Sequence, residues 1–379
     1  MKRKPNNKLP LTSVEKVLPM LVKNALANST SDKAFSIFLA DLQLTSRDWN
    51  ELLTLADKQG LLAIAYDGLP DDILSVLPRD IRIKWQQGVE MVENRYERAV
   101  SVLKELIIIF NTNGIDVLLL KGPGISSIYP QPNHRESDNL NIYLLGDFDK
   151  GNNVIEQKGI FVEKTRNENS RFNFRGVSVE NHKTFVGKKD KRINLTLNRL
   201  LSNNGLESLL LGDFYVNVPA PDFNAFFLAE EYTRQFLSEG LVIRHFSDIA
   251  LFFKTNYERI NFNKLSQLLY CHRIVNIFLH FLSLSDNMFG FDSGYRTLVK
   301  RTKNDQEPNN VTVDKIYSDT LNNTIKRKEK QVLRSMPLYK RKISETVTLF
   351  TSKWKYDLIS KGLFYKVFLK KFILYSSPS

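Results

Sequence analysis

The chain has 379 residues, 42% of them apolar and 25 of them Phe, enough to fill one large core or two smaller ones and too aromatic for a disordered chain. Its formal charge is +13, but residues 321–379 hold 14 Lys or Arg against 3 Asp or Glu, a net of +11, which leaves the first 320 residues near neutral at +2. An anionic partner is therefore an expectation for the tail and not for the fold as a whole. A single cysteine, Cys271, excludes an internal disulfide and any Cys-based zinc site, and fits a reducing cytoplasm. It sits in the apolar stretch "LLYCHRIVNIFL", where a buried thiol is expected. The basic start "MKRKPNNKLP" has no apolar run behind it, so no secretory signal is expected, and no stretch reaches the ~18 apolar residues of a membrane span.

In chain order, helices come first. "SVEKVLPMLVKNAL" has apolar residues at helical spacing behind a Ser able to cap. "TSRDWNELLTLADKQGLLAIAYDGL" repeats the pattern, with Trp49, Leu52, Leu53 and Leu55 toward one side. "ENRYERAVSVLKELIIIFNTNG" is the clearest helix and stops at Asn113-Gly114. The signal then changes. "IDVLLLK" reads as a buried strand, "KGPGISSIYPQPNHRESD" as a turn-rich loop holding a helical turn at "GISSIY", and "NLNIYLL" as a second strand. "DKGNNVIEQKG" reads as a short helix, and "IFVEKT", "SRFNFRG" and "VSVENHKTF" as further strands. From Arg192 onward the pattern reads as helical to the basic tail.

A strand, a glycine turn, a helical turn and a second strand with polar residues two apart form a chemical arrangement. Residues i and i+2 of a strand share a face, so two carboxylates there can share a magnesium ion that holds triphosphate. A glycine turn offers backbone N–H groups to the same phosphates. Here the paired positions are Asn139 and Asn141.

The stretches "LLLKGPGISSIYPQP", "RESDNLNIYL" and "VSVENHKTF" resemble the bacterial uncharacterised nucleotidyltransferase family, a branch of the DNA-polymerase-beta-like nucleotidyltransferases. "DWNELLTLADKQGLLAIAYDGL" resembles its Trp-led helical entry and "GLVIRHFSDIALFF" a later helix, so the likeness covers roughly residues 45–255. The resemblance implies an α+β fold with a small mixed sheet at 113–190. A helical region at 1–112, a second at 191–300 and a basic aromatic tail at 301–379 would flank it. It also implies Mg2+ and a nucleoside triphosphate, with transfer of a nucleoside monophosphate to a hydroxyl. Laid on the family's Gly-Asp-Ile-Asp strand, Asp138 stands at the Gly, and Asn139 and Asn141 stand at the two metal-binding Asp positions. Glu180 takes the third-carboxylate position. A carboxamide matches a carboxylate in shape but carries no charge and is a poor ligand for a hard cation. The expectation is a degenerate metal site that binds a nucleotide or sugar-type ligand or serves an accessory role. One alternative is an active enzyme in which a one-residue slip or a bulge brings Asp138 to the site beside Glu180, and another is a non-enzymatic peripheral membrane or scaffold protein acting through its basic tail.

Lys121 and Gly122 are candidates for phosphate contact, against an ordinary turn after a strand. Arg135 is a candidate for binding a triphosphate or acidic substrate, against a surface pair with Glu136 or Asp138. His182 shares a strand face with Glu180 and is a candidate base or substrate contact. Arg244 and Asp248, four apart on one helix, are expected to form a structural ion pair. The tail ends in "GLFYKVFLKKFIL", too apolar around its circumference to stand free in water. The protein's own body, an anionic membrane surface reached through 321–379, or nucleic acid would cover it.

Overall fold

The computed structural model describes residues 11–27, 33–137, 139–165, 169–187, 190–302, 308–334 and 351–359, with 364, 365 and 367. Among them, six helices precede the first strand: α1 (Ser13–Leu26), α2 (Lys33–Asp41), α3 (Ser46–Lys58), α4 (Leu62–Asp67), α5 (Asp71–Val76) and α6 (Arg79–Thr112). The cap of α1 is Thr12 and not the adjacent Ser13. Its hydroxyl accepts from the Glu15 N–H (3.2 Å), and the Glu15 carboxylate accepts from the Thr12 N–H (2.9 Å). Thr45 and Asp48 repeat this reciprocal cap at α3. The long α6 is tied to α4 by the Trp85 indole N–H, which donates to the Leu62 carbonyl at 2.9 Å.

The sheet follows, with β1 (Leu118–Leu119), α7 (Pro123–Ser126), β2 (Leu140–Tyr143), α8 (Phe148–Gln157), β3 (Glu163–Lys164), β4 (Ser170–Phe174) and β5 (Val177–His182). Then come α9 (Lys191–Asn204), β6 (Leu206–Leu211), β7 (Phe214–Pro219), α10 (Pro221–Ser238), α11 (Ile243–Thr255), α12 (Phe262–Cys271), α13 (Val275–Phe289), α14 (Tyr295–Thr302) and α15 (Asn310–Arg334), and a last described helix spans Lys353–Ile359. The strands form one mixed seven-stranded sheet in the order β3-β4-β5-β2-β1-β7-β6. The fold is α+β, as the sequence reading expects.

The sheet does not end near residue 190. The hairpin of β6 and β7 extends it to Pro219, with β7 parallel to β1 at Leu118–Asn217. Leu206, Leu209 and Leu210 fall at i, i+3 and i+4, a helical spacing, which is why the segment after Arg192 reads as continuous helix. The punctuation that decides the matter is Gly205 at the end of α9 and the tight turn at Gly212 and Asp213.

Two apolar clusters lie on opposite faces of the sheet. Leu118 and Leu120 enter a large helical core, and Leu119 enters a smaller one built with α6 and α8. Leu140 and Ile142 face the smaller core, whereas Tyr143 packs against the larger. Strand alternation therefore turns Asn139 and Asn141 to the face shared with Tyr143. Cys271 is exposed, contrary to expectation. The buried stripe of α12 runs Phe262, Leu265, Ser266, Leu269, and Cys271 lies off it.

Most of residues 321–379 lies outside the described residues, including most of "GLFYKVFLKKFIL". The described segment near residue 355 packs on the protein's own body. Trp354 packs on Phe236, Lys355 is buried and donates to Asp319 Oδ2 (2.5 Å) and to the Phe236 carbonyl (3.2 Å), and Phe364 is buried beside Tyr356 and Leu237. No helix among the described residues is long and apolar enough to cross a membrane.

One glycine controls the docking of the first helices. A Cβ on Gly68 would collide with the carbonyl oxygen of Leu21, and the Gly68 carbonyl itself accepts from Asn24 Nδ2 at 2.9 Å. Replacing Gly68 by alanine is expected to cost on the order of 3 kcal/mol by forcing α1 off α4. A urea-unfolding midpoint equal to wild type would refute that close approach.

Candidate functional site

After β1 the chain turns at Gly122 with φ 78 and ψ −125, a conformation only glycine adopts without strain. A Cβ there would stand 3.2 Å from Ser137 Oγ and 3.3 Å from the Asn139 carbonyl oxygen, so the turn packs on the segment that leads into β2. β2 and β5 run parallel, and their register sets Asn141 directly beside Glu180 and Tyr143 beside His182. Lys121, Gly122, Arg135, Asn139, Asn141 and Glu180 line one side of a cavity of about 700 Å³, and Glu231, Arg234 and Arg244 from α10 and α11 line the other. His182 stands behind Asn141, and Asp138 lies outside the described residues.

The polar groups here have one consistent orientation. Asn169 Oδ1 accepts from the backbone N–H of Lys183 at 3.1 Å, which fixes its amide and points the NH2 at Glu180 Oε1 (3.0 Å) and at His182 Nδ1 (3.2 Å). His182 Nδ1 is then an acceptor, and the proton sits on Nε2, which donates to Asn141 Oδ1 at 3.0 Å. Asn141 Nδ2 donates in turn to the Asn139 carbonyl at 3.3 Å. Burial pushes the His182 pKa down, and the nearby Glu180 carboxylate does not outweigh it, so the ring stays neutral in this chain of bonds. Arg171 reaches Glu180 Oε2 at 3.6 Å.

A family model described as an uncharacterised nucleotidyltransferase matches residues 45–290. The chain belongs to that family. No curated protein and no solved structure matches it. Nucleotidyltransferases usually work with Mg2+ and a nucleoside triphosphate. In this member the three candidate ligand positions supply two carboxamides and one carboxylate, and the carboxylate already faces Asn169 and Arg171. Asn141 Oδ1, the atom that would bind a cation, is taken by the His182 N–H. Among the described residues no group of three His, Cys, Asp or Glu could hold a metal ion. This donor set is a poor match for a hard divalent cation, because two of its three positions bring no negative charge.

The cations of this nucleotidyltransferase cavity differ in how far the protein itself satisfies them. Lys121 pairs with Glu231 at 2.6 Å. Burial would raise the Glu231 carboxyl, but Lys121 and then Arg234 outweigh it and hold it at about 2. Arg135 is not a surface residue, and it does not pair with the Glu136 carboxylate. It is buried and forms a bidentate pair with Asp248, Nε to Oδ1 at 2.7 Å and Nη2 to Oδ2 at 2.8 Å. Tyr129 and Tyr232 donate to the same two oxygens at 2.7 and 2.8 Å. Asp248 is thus taken from Arg244, and the expected pair within α11 does not form. Burial would raise the Asp248 carboxyl, and Arg135 instead lowers it to about 2. Sequence reasoning missed Asn169, Glu231, Arg234 and Tyr232, which reach the site from distant segments. Tyr129 carried a signal, since it opens the Tyr-Pro turn of the family resemblance.

Replacing Asp248 by alanine strands a buried guanidinium and is expected to cost about 3–5 kcal/mol in urea unfolding. A loss below about 1 kcal/mol would show that water reaches and solvates Arg135. A second expectation concerns pH. His134, one residue before Arg135, sets Nδ1 2.7 Å from Asp67 Oδ2 and Nε2 2.9 Å from Glu93 Oε1. Carboxylates only accept, so both ring nitrogens carry protons. Burial alone would lower its pKa, yet Asp67 and Glu93 together raise it above the ordinary 6.5. A base with a raised folded pKa stabilises fully below its unfolded value, and the contribution fades as pH rises through the folded value. Wild type should therefore exceed the His134→Gln variant by on the order of 2 kcal/mol at pH 6, with a smaller gap at pH 9. A gap independent of pH in paired urea titrations would show that the ring is neutral.

Proposed function

We propose that this nucleotidyltransferase-family protein binds a nucleotide or sugar-type ligand in the cavity between the sheet and α10–α11 without assembling the usual two-carboxylate magnesium centre. It acts as a binding or accessory protein and not as an ordinary metal-dependent transferase. One observation carries this reading. The Asn141 carboxamide is committed at both ends, its oxygen to His182 and its nitrogen to the Asn139 carbonyl. A neutral carboxamide brings no negative charge to offset a hard divalent cation, and this one is already engaged by two neighbours. The cavity's size, about 700 Å³, falls within the range of small-molecule sites, and its lining is largely polar and charged.

Calorimetry on the full chain with ATP, CTP and a nucleotide sugar tests this, each run once with magnesium and once with EDTA. The expected outcome is micromolar-to-millimolar binding of at least one ligand with the same affinity in both buffers. Binding strengthened about tenfold or more by magnesium would sink the degenerate-site reading, and no binding by any of the three would sink the ligand reading. The double variant Asn139→Asp, Asn141→Asp should acquire magnesium dependence of about tenfold, because two carboxylates then stand beside Glu180. If its binding is unchanged by magnesium, these are not metal positions.

A further inference from the structure

The ion pair between Arg135 and Asp248 has a consequence for Arg244. The local spacing on α11 offers Asp248 to Arg244, but both oxygens of Asp248 are occupied by Arg135, Tyr129 and Tyr232. Among the described residues Arg244 forms no salt bridge, whereas Lys121, Arg135 and Arg234, the other Lys and Arg residues lining the same cavity, each form at least one. Among the described residues its side chain makes one hydrogen bond, from Nη1 to the backbone carbonyl of Glu136 at 2.5 Å, and its Nε is buried without a partner. The Glu136 carboxylate lies close enough to feel the charge of Arg244 but forms no salt bridge with it. The side chain is nonetheless held in place. A Cβ on Gly60 would stand 3.3 Å from three atoms of the Arg244 side chain, so the bare glycine backbone forms its support.

We infer that Arg244 is the anion anchor of the cavity and that the group it takes is a phosphate free of metal. A half-buried guanidinium with no carboxylate at salt-bridge distance and its position fixed is prepared for a phosphate oxygen, and little ordering is left to do on binding. The absence of a magnesium-type donor set beside it means that the ligand's negative charge must be met by the protein. Arg244 is the cationic side chain on this wall with no carboxylate already bound to it. This inference rests on the ligand-binding reading of the cavity.

The test uses the full chain in EDTA, with ATP and inorganic pyrophosphate as probes and calorimetry as the readout. Arg244→Gln is expected to weaken ATP about 30-fold and to abolish measurable pyrophosphate binding, with adenosine affinity unchanged. Arg244→Lys keeps the charge but loses the planar fork, and should weaken ATP about fivefold. It carries the test alone if the glutamine variant does not fold. Wild-type ATP binding that is equal in the variants overturns the role of Arg244 and leaves the ligand reading standing. Failure of wild type to bind ATP and pyrophosphate overturns the inference, and the ligand reading falls with it when CTP and the nucleotide sugar also fail to bind.

Discussion

The buried carboxylate of Asp248 organises this protein's site. It is fully excluded from solvent and accepts four hydrogen bonds, two from Arg135 and one each from Tyr129 and Tyr232, which fills the acceptor capacity of a carboxylate. Burying an ion pair costs desolvation that the pair's attraction only roughly repays, so its worth lies less in net stability than in geometry. Here it joins the loop after α7, the middle of α10 and the middle of α11 at one point. Tyr129 and Tyr232 remain protonated donors, since burial first and the charge of Asp248 second push both hydroxyl pKa values well up.

The loop so fixed carries the rest of the site. Arg135 is followed by Glu136, whose carboxylate accepts from the Leu62 N–H at 3.3 Å and whose carbonyl accepts from Arg244. His134, before it, bridges Asp67 of α4 and Glu93 of α6. Three consecutive residues thus bind the N-terminal helices, the sheet and α11 together immediately before β2 begins. The cavity is therefore not an accident of loop packing. Its walls are positioned by the charge-assisted bonds of Arg135 with Asp248 and of Lys121 with Glu231, on segments that flank Asn139 and Asn141.

Much of this arrangement was legible in the sequence, and the misses share a cause. The alternation of "NLNIYLL" correctly separates Leu140 and Ile142 from Asn139 and Asn141, because strand period is a local property. The family resemblance supplied the neighbour on β5, and the register sets Asn141 beside Glu180. Local rules failed where partners are remote. Arg135 and Asp248 are 113 residues apart, and the i,i+4 rule assigned Asp248 to Arg244 instead. That rule describes exposed helix surfaces. At a buried site the choice of partner is set by which guanidinium can share the carboxylate's dry environment, and only the fold decides that. The β6–β7 hairpin failed for a related reason. An edge strand with one exposed face has a weak burial pattern, and its leucines happened to fall at helical spacing.

The two asparagines are more than missing acids. A carboxylate at position 141 would keep the bond from His182, but its second oxygen would face the Asn139 carbonyl, acceptor against acceptor. The amide turns that contact into a donated bond. The resulting chain runs in one sense from the Lys183 N–H through Asn169, His182 and Asn141 to the Asn139 carbonyl, each step a donor matched to an acceptor. It closes with a neutral imidazole and no formal charge. The one carboxylate left beside it, Glu180, is met by the Asn169 amide and by Arg171. The polar groups at the centre of these strands therefore satisfy one another, and a cation is not needed to hold them apart. Asn141 is thus joined to β5 by neutral donor–acceptor pairs, while Arg244 on α11 lines the same cavity with no salt bridge among the described residues.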